Sequence, residues 1–227
     1  MKSKKSDLII IAHPDDETLF FSSVIQQRPY QRPCEIICVT DGNADGMGSR
    51  RHRQFLNACR KLGVNKTHWW KYSDIYEKRL PLAPLVERLS THPKPFRIFT
   101  HNILGEYGHP HHQDVSYAVH RAFFSQVPIF STAYNTYPTL SFTLSREQYE
   151  RKTEILSKIY ASETKRFIHI LPATYTEGFL QVSLAEVESI YAFYTRGKRL
   201  QQRHLNAFKW YWPYIKDGQL SHTTRSF

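Results

Sequence analysis

Short apolar, β-branched runs alternate with helix-length segments along this chain, and that alternation limits it to few architectures. The runs are 7–12 (DLIIIA), 34–40 (CEIICVT), 67–72 (THWWKY), 96–100 (FRIFT) and 129–134 (IFSTAY). Between them lie segments of helical length at about 16–28, 50–62, 79–91 and 112–125. Continuous apolar strands separated by helices predict an α/β fold: a Rossmann-like, mostly parallel β-sheet flanked by helices on both faces. Gly63, after Arg51–Lys61, predicts a C-terminal helix cap. A further helix is predicted over 143–163, and a basic, aromatic helical tail from 184 to 215. No repeat or long linker divides the 227 residues, so one domain over 1–227 is expected.

Composition removes several classes. Apolar residues make up 41% and charged residues 22%, an ordinary globular balance. No run approaches the roughly 20 apolar residues of a spanning helix. The basic start is followed by only five apolar residues, too few for a signal peptide. A cytoplasmic protein is expected, with peripheral contact at the inner membrane surface as an option. Cys34, Cys38 and Cys59 are odd in number and lack paired-ligand spacing, so they read as free thiols.

Open parallel sheets bind ligands beyond the carboxyl ends of their strands. Three chemistry-bearing clusters fall at such ends. Ala12-His13-Pro14-Asp15-Asp16-Glu17 follows the first strand. His13 and Asp16, three apart across a turn, can face one point, and imidazole with carboxylate suits a zinc-type cation. The same acids would also serve as ordinary helix caps. Gly108-His109-Pro110-His111-His112 follows the fourth strand, with two histidines three apart; a His-rich surface loop is the plainer alternative. Two clusters of complementary ligand type at strand ends favour a shared centre. Thr40–Gly48 is Gly-rich and opens onto Arg50, Arg51 and Arg53. It lacks P-loop and dinucleotide-fold spacing, and reads as a mobile loop over a polar substrate with an Arg pointing in.

These residues resemble the PIG-L/LmbE-like family of metal-dependent N-acetylglucosaminyl deacetylases. The resemblance runs over about 6–180 and is carried by His13-Pro14-Asp15-Asp16-Glu17, Thr40-Asp41-Gly42, Arg51, and His109-Pro110-His111-His112. Ser162-Glu163 and Glu177-Gly178-Phe179 match more loosely. The resemblance implies His13, Asp16 and His112 as ligands to Zn2+ or another divalent transition metal. It implies Asp15 as general base and His109, protonated, as oxyanion stabiliser and proton donor. Arg51 and Asp41 would contact substrate, an N-acetyl sugar conjugate with an anionic or lipid-linked aglycone. There are two departures: His111 stands where the family often has Asp, and Gln54 where it often has Glu. The first puts the protonation of His109 in question, the second an anchoring salt bridge.

The balance of 31 basic and 20 acidic residues gives +11. Lys198, Arg199, Arg203 and Lys209 lie beside Trp210, Tyr211, Trp212 and Tyr214 in the segment 181–227. Three readings compete: attraction to an anionic aglycone, contact with an anionic membrane, and a basic helix packed by its aromatics. Two further alternatives stand beside the deacetylase reading: a nucleic-acid-binding module, although no known nucleic-acid motif is present, and an amide or ester hydrolase for a non-sugar molecule.

Overall fold

The computed structural model describes residues 5–29, 32–134, 136–167 and 174–195. Its centre is a seven-stranded sheet. Five strands are parallel: β1 (Asp7–Ile11), β2 (Cys34–Thr40), β3 (Lys66–Tyr72), β4 (Arg97–Thr100) and β5 (Ile129–Thr132). Two more close the far side, β6 (Leu140–Thr143) and β7 (Thr176–Leu180), giving the order β3-β2-β1-β4-β5-β7-β6. β7 runs antiparallel to both β5 and β6. The expected mostly parallel sheet is therefore present, with an antiparallel flank that the apolar pattern does not announce.

Eight α-helices accompany the described strands: α1 (Asp16–Phe20), α2 (Ser22–Gln26), α3 (Gly48–Leu62), α4 (Leu82–Ser90), α5 (Pro110–Phe123), α6 (Arg146–Glu154), α7 (Ala161–Phe167) and α8 (Leu184–Thr195). β1 is buried along its whole length, because both its faces are covered. Ile9 and Ile11 pack with Phe55, Ala58 and Phe99 on one side. Leu8 and Ile10 pack with Leu85, Leu89, Val115 and Val119 on the other. Gly63 caps α3 at φ 83°, as its position predicted. The three cysteines are buried and unpaired.

Two expectations need correction. The helix predicted over 16–28 is two short helices, broken at Phe21, whose ring enters the core against Phe179. The helix predicted over 143–163 begins only at Arg146, where Ser145 and Gln148 form a reciprocal capping box. It then widens into a π-helical turn, Ile155–Ile159, before α7. Its first residue, Thr143, belongs instead to β6. The loosely matched Glu177-Gly178-Phe179 forms interior structure. Glu177 accepts from Lys152 Nζ at 2.7 Å and from Ser23 N and Oγ at 2.8 and 2.6 Å. A Cβ at position 178 would stand 2.8 Å from Pro138 Cβ, so only glycine lets β7 pass there. The start of the basic aromatic segment is packed, as one of its three readings had it: Val187, Ile190 and Tyr191 of α8 bury against Ile103, Leu104, Ala133 and Leu180. Residues 196–227, which carry most of that segment, lie outside the described residues.

Candidate metal centre

The strand order reverses direction between β1 and β4, and the loops leaving these two strands meet there. Thr40 locks β1's exit: its N–H and Oγ1 both donate to Ala12 O, at 3.0 and 2.7 Å. His13 and Asp16 leave this turn; His101 leaves β4 directly; Pro110 starts α5 at a position where its missing N–H costs nothing. Asp16, His101 and His112 are fully buried and His13 nearly so.

Three side chains converge. His13 Nδ1 lies 3.2 Å from His112 Nε2 and 3.6 Å from Asp16 Oδ2, and His112 Nε2 lies 3.5 Å from Asp16 Oδ1. Ligand atoms around a tetrahedral cation with bonds of about 2.0–2.1 Å sit about 3.3 Å apart. The donor set and its spacing thus fit a zinc-type divalent cation. Two further groups of donors overlap the same centre: His13, His109 and His111, and His101, Glu106 and His112.

The surroundings fix which nitrogens face inward. His112 Nδ1 lies 2.6 Å from Glu106 Oε2, which keeps the proton on Nδ1 and leaves the Nε2 lone pair for the centre. His111 Nε2 faces the carbonyls of Ile75 and Lys78 at 3.1 and 2.9 Å, and carbonyls only accept. Its neutral form therefore presents a bare Nδ1 to His13 Nε2 at 3.1 Å. That contact places the His13 proton on Nε2 and its lone pair on Nδ1, toward the centre. So the departure at position 111 acts on the predicted ligand His13.

His109 is held separately. As N-cap of α5, it accepts from His111 N through Nδ1 at 3.2 Å, which leaves its proton on Nε2. Burial, together with His112, His13 and His111 nearby, lowers its pKa strongly. The expected protonated His109 is therefore corrected to a neutral imidazole with a donor Nε2.

Charge balance shows what the centre is prepared to hold. Burial opposes charge on His13, but Asp16 and Asp74 outweigh it and push the pKa up to about 9. Burial likewise opposes charge on His101, but Glu106 and Asp16 push it up to about 10. Yet Ala12 N donates to His101 Nε2 at 3.0 Å, and that same nitrogen lies 3.2 Å from Asp16 Oδ2. One demand needs a lone pair and the other a proton. A cation on Asp16 removes the second demand and lets neutral His101 donate from Nδ1 toward Glu106, 3.3 Å away. The carboxylates that raise these two imidazoles give the pocket the negative charge a cation would answer.

Asp15 sits beside the centre in a strained backbone, at φ 114°. Glu17 Oε2 accepts its N–H at 3.0 Å, and its carbonyl accepts from Thr18 and Leu19, each at 2.9 Å. Glu17 is itself held by Thr18 Oγ1 and Tyr160 OH. Burial raises the Asp15 pKa well above the usual carboxylate range, against the pull of Arg51. Gly42 belongs to this frame: at φ 59°, a Cβ there would meet Pro14 Cγ at 2.9 Å.

Arg51 reaches the site from α3. It donates to Pro14 O at 2.9 Å and faces Asp15 at 3.5 Å, Asp74 at 3.6 Å and Glu163 at 4.0 Å. Glu163, matched only loosely in sequence, thus belongs to the site's frame. Gln54 donates to Ile159 O at 2.5 Å, satisfying a carbonyl of the π-helical turn. The salt bridge questioned at position 54 is supplied to Arg51 from other elements. Asp41 stands apart from the converging donors: its Oδ1 accepts from Asn43 N and Asp74 N, both at 3.0 Å, and secures the loop after β2. Asn43 Oδ1 also accepts from Gly48 N at 2.9 Å, so the expected mobile loop is laced by its own side chains.

Sequence reasoning missed Asp74, His101 and Glu106. Asp74 follows β3 in a polar stretch without a motif. His101 is a lone histidine after Thr100. Glu106 stands just before the quoted His-rich cluster, six residues from the imidazole it orients.

A description of the PIG-L family, GlcNAc-PI de-N-acetylase, matches residues 8–123, about half of the chain. The probable N-acetylglucosaminyl-phosphatidylinositol de-N-acetylase of Schizosaccharomyces pombe is 38% identical over 72 residues, 31% of this chain and 29% of that one. The match thus spans less than a third of that curated relative. Among solved structures, the N,N'-diacetylchitobiose deacetylase of Pyrococcus horikoshii superposes with a TM-score of 0.58 at 20% identity, covering 85% of this chain and 86% of that one. A 4-carboxy-2-hydroxymuconate hydratase from Pseudomonas putida superposes equally well, at 0.58 and 14% identity, over 78% and 96%. The fold is therefore shared by a deacetylase and a hydratase, and does not choose between reactions. Family membership comes instead from the matched stretch, which begins in β1 and ends with α5 and so contains Asp15 and all three converging donors: this chain belongs to the PIG-L family.

Proposed function

We propose that this protein removes the acetyl group from an N-acetylglucosamine-type sugar conjugate, using a divalent metal, by preference zinc, held by His13, Asp16 and His112. The observation that carries the reading is the convergence of those three donors within 3.2–3.6 Å, beside a buried, strained Asp15. When bound, the metal would supply a water acidified toward neutrality and positive charge for the acetyl oxygen.

The chain's own residues would do the rest. Asp15, its pKa raised by burial, accepts a proton at its carboxylate and holds it for the departing nitrogen. Arg51 fixes the Asp15 carboxylate and keeps it from turning away. His109, neutral, donates a hydrogen bond from Nε2 to the developing oxyanion. Tyr76, whose ring stands edge-on at 5.1 Å from His109, restricts that imidazole.

The aglycone is read from charge. Arg50, Arg53, Lys61 and Lys158 line a groove of about 520 Å³ between α3 and the π-helical turn. This supports an anionic, phosphate-bearing or lipid-linked aglycone leaving the sugar in that direction. No helix among the described residues is long and apolar enough to cross a membrane. Contact with an anionic membrane through the segment 181–227 is part of the proposal and is tested by vesicle co-sedimentation.

The test is acetate release from N-acetylglucosaminyl-phosphatidylinositol and from simple N-acetylglucosamine glycosides by zinc-loaded protein. Release that disappears in His112→Ala together with the bound metal supports the reading. Full metal occupancy with no acetate released from either substrate class would sink it.

A further inference from the structure

A second set of metal-type donors lies at the other end of the sheet. Glu35 is the second residue of β2, five residues before Thr40 and hence about 16 Å along the strand from the site's end of the sheet. His68 belongs to β3, in register with Ile37, on the face that Trp70 and Tyr72 cover. His92 follows the C-terminus of α4 and is placed there by its N–H bond to Leu89 O at 3.0 Å. One carboxylate oxygen, Glu35 Oε1, is approached by two imidazole nitrogens: His68 Nε2 in hydrogen-bond contact and His92 Nε2 at 3.2 Å. One ligand atom from each residue lies within 4.8 Å of the other two.

The tautomer of His92 sharpens this. Its Nδ1 faces Pro93 O at 3.0 Å, a carbonyl that can only accept, so Nδ1 carries the proton. A neutral His92 then aims the Nε2 lone pair at a carboxylate oxygen. Two electron-rich atoms face each other, and a cation between them turns repulsion into coordination. The same arrangement, an outer acceptor fixing the proton so that the inner nitrogen is free, operates at His111 and His112 in the buried centre.

We infer that Glu35, His68 and His92 form a second divalent transition-metal site, of zinc type, independent of the centre at Asp16. Two imidazoles and one carboxylate, with side chains 26%, 11% and 13% exposed, leave room for water as fourth ligand. Lys66 Nζ lies 3.3 Å from Glu35 Oε1 at the end of a side chain 64% exposed. It gives way to a dication by swinging into solvent. Ser6 Oγ donates to Glu35 Oε2 at 3.4 Å and steadies the carboxylate. Since β3 is an edge strand, such a cation would staple that edge to β2 and to the turn after α4.

The experiment strips the full chain of metal, reloads it with Zn2+ alone and counts bound zinc by elemental analysis, with affinity read by chelator competition. Wild type is expected to bind two equivalents. His92→Ala and Glu35→Gln should each bind one and keep wild-type acetate release. His112→Ala should also keep one, and zinc should raise its melting temperature. That rise should vanish when His92→Ala is added, a readout that stands even if the reloaded enzyme shows no turnover. The proposal is overturned if wild type binds a single zinc that His112→Ala abolishes. It is equally overturned if the second equivalent survives in both His68→Ala and His92→Ala. Should His92→Ala fail to fold, Glu35→Gln, which keeps the side chain's volume, decides the matter.

Discussion

At the carboxyl ends of β1 and β4, five histidines (13, 101, 109, 111 and 112) crowd with Asp15, Asp16, Asp74 and Glu106. At the amino end of β2, two histidines share the single carboxylate of Glu35 within reach of water. The ingredients are alike and the surroundings are not. In the buried cluster each ligand nitrogen is fixed by an outer partner: Glu106 for His112, and His111 for His13. Removal from water makes every unmatched charge costly, so neighbouring pKa values spread apart, His112 falling to about 4 under burial and the charge of His101 while His13 rises to about 9. At Glu35, solvent and a mobile lysine neutralise the carboxylate instead. Burial buys a catalytic arrangement at the cost of an outer shell; exposure permits a looser staple.

The comparison breaks most sharply at Asp15. Asp15→Asn should lower turnover roughly 100- to 10,000-fold while zinc content stays at the wild-type level. If zinc is lost as well, Asp15 is a ligand rather than a base. The next test isolates burial from charge. His120 lies in the same helix as His109–His112 but has no carboxylate partner among the described contacts, and burial lowers its pKa to about 4. A folded pKa below the unfolded value of about 6.5 contributes stability that is complete above pH 6.5 and is lost as pH falls toward 4. The loss between pH 7 and pH 4 is about 3 kcal/mol, roughly a hundredfold in the folding equilibrium. His120→Leu should flatten that part of the pH dependence in chemical denaturation. An unchanged slope would mean that burial alone does not hold His120 neutral.

Smaller effects concern the outer shell. Glu106→Gln should weaken zinc binding about 10- to 100-fold at the buried centre, read by chelator competition, and leave the Glu35 cluster untouched. Equal weakening at both sites would show a general loss of structure rather than a lost orientation. Lys66→Ala should tighten zinc a few-fold at Glu35, Lys66 being an exposed competitor worth little energy. Weaker binding in that variant would mean that the lysine shapes the site instead of yielding it.

Much of the fold and half of the site are legible along the chain. β1 and β2 are runs of buried apolar residues, β3 to β5 shorter or half-buried β-branched and aromatic ones, and the strand ends locate His13, Asp15, Asp16, His109 and His112. These are local facts: a strand buried on both faces must be apolar throughout, and ligands three residues apart across a turn share a face. β6 and β7 escaped notice because they are short, polar and interrupted by Gly178, and gain strand form only by pairing with each other and with β5. The break at Phe21 and the π-helical turn at Ile155–Ile159 are likewise settled by what the core accepts.

Sequence by itself determined the ligand types, the strand ends that carry them and the helix cap at Gly63. Tertiary structure decided which nitrogen of each histidine faces inward, because that depends on acceptors far away in the chain: Ile75 and Lys78 for His111, and beyond it His13. It also decided that His109 is neutral, that Arg51 is anchored by Asp74 and Glu163, and that Glu35, His68 and His92 meet at all. Charge acts through space and burial, and neither distance nor dielectric is written in the order of residues.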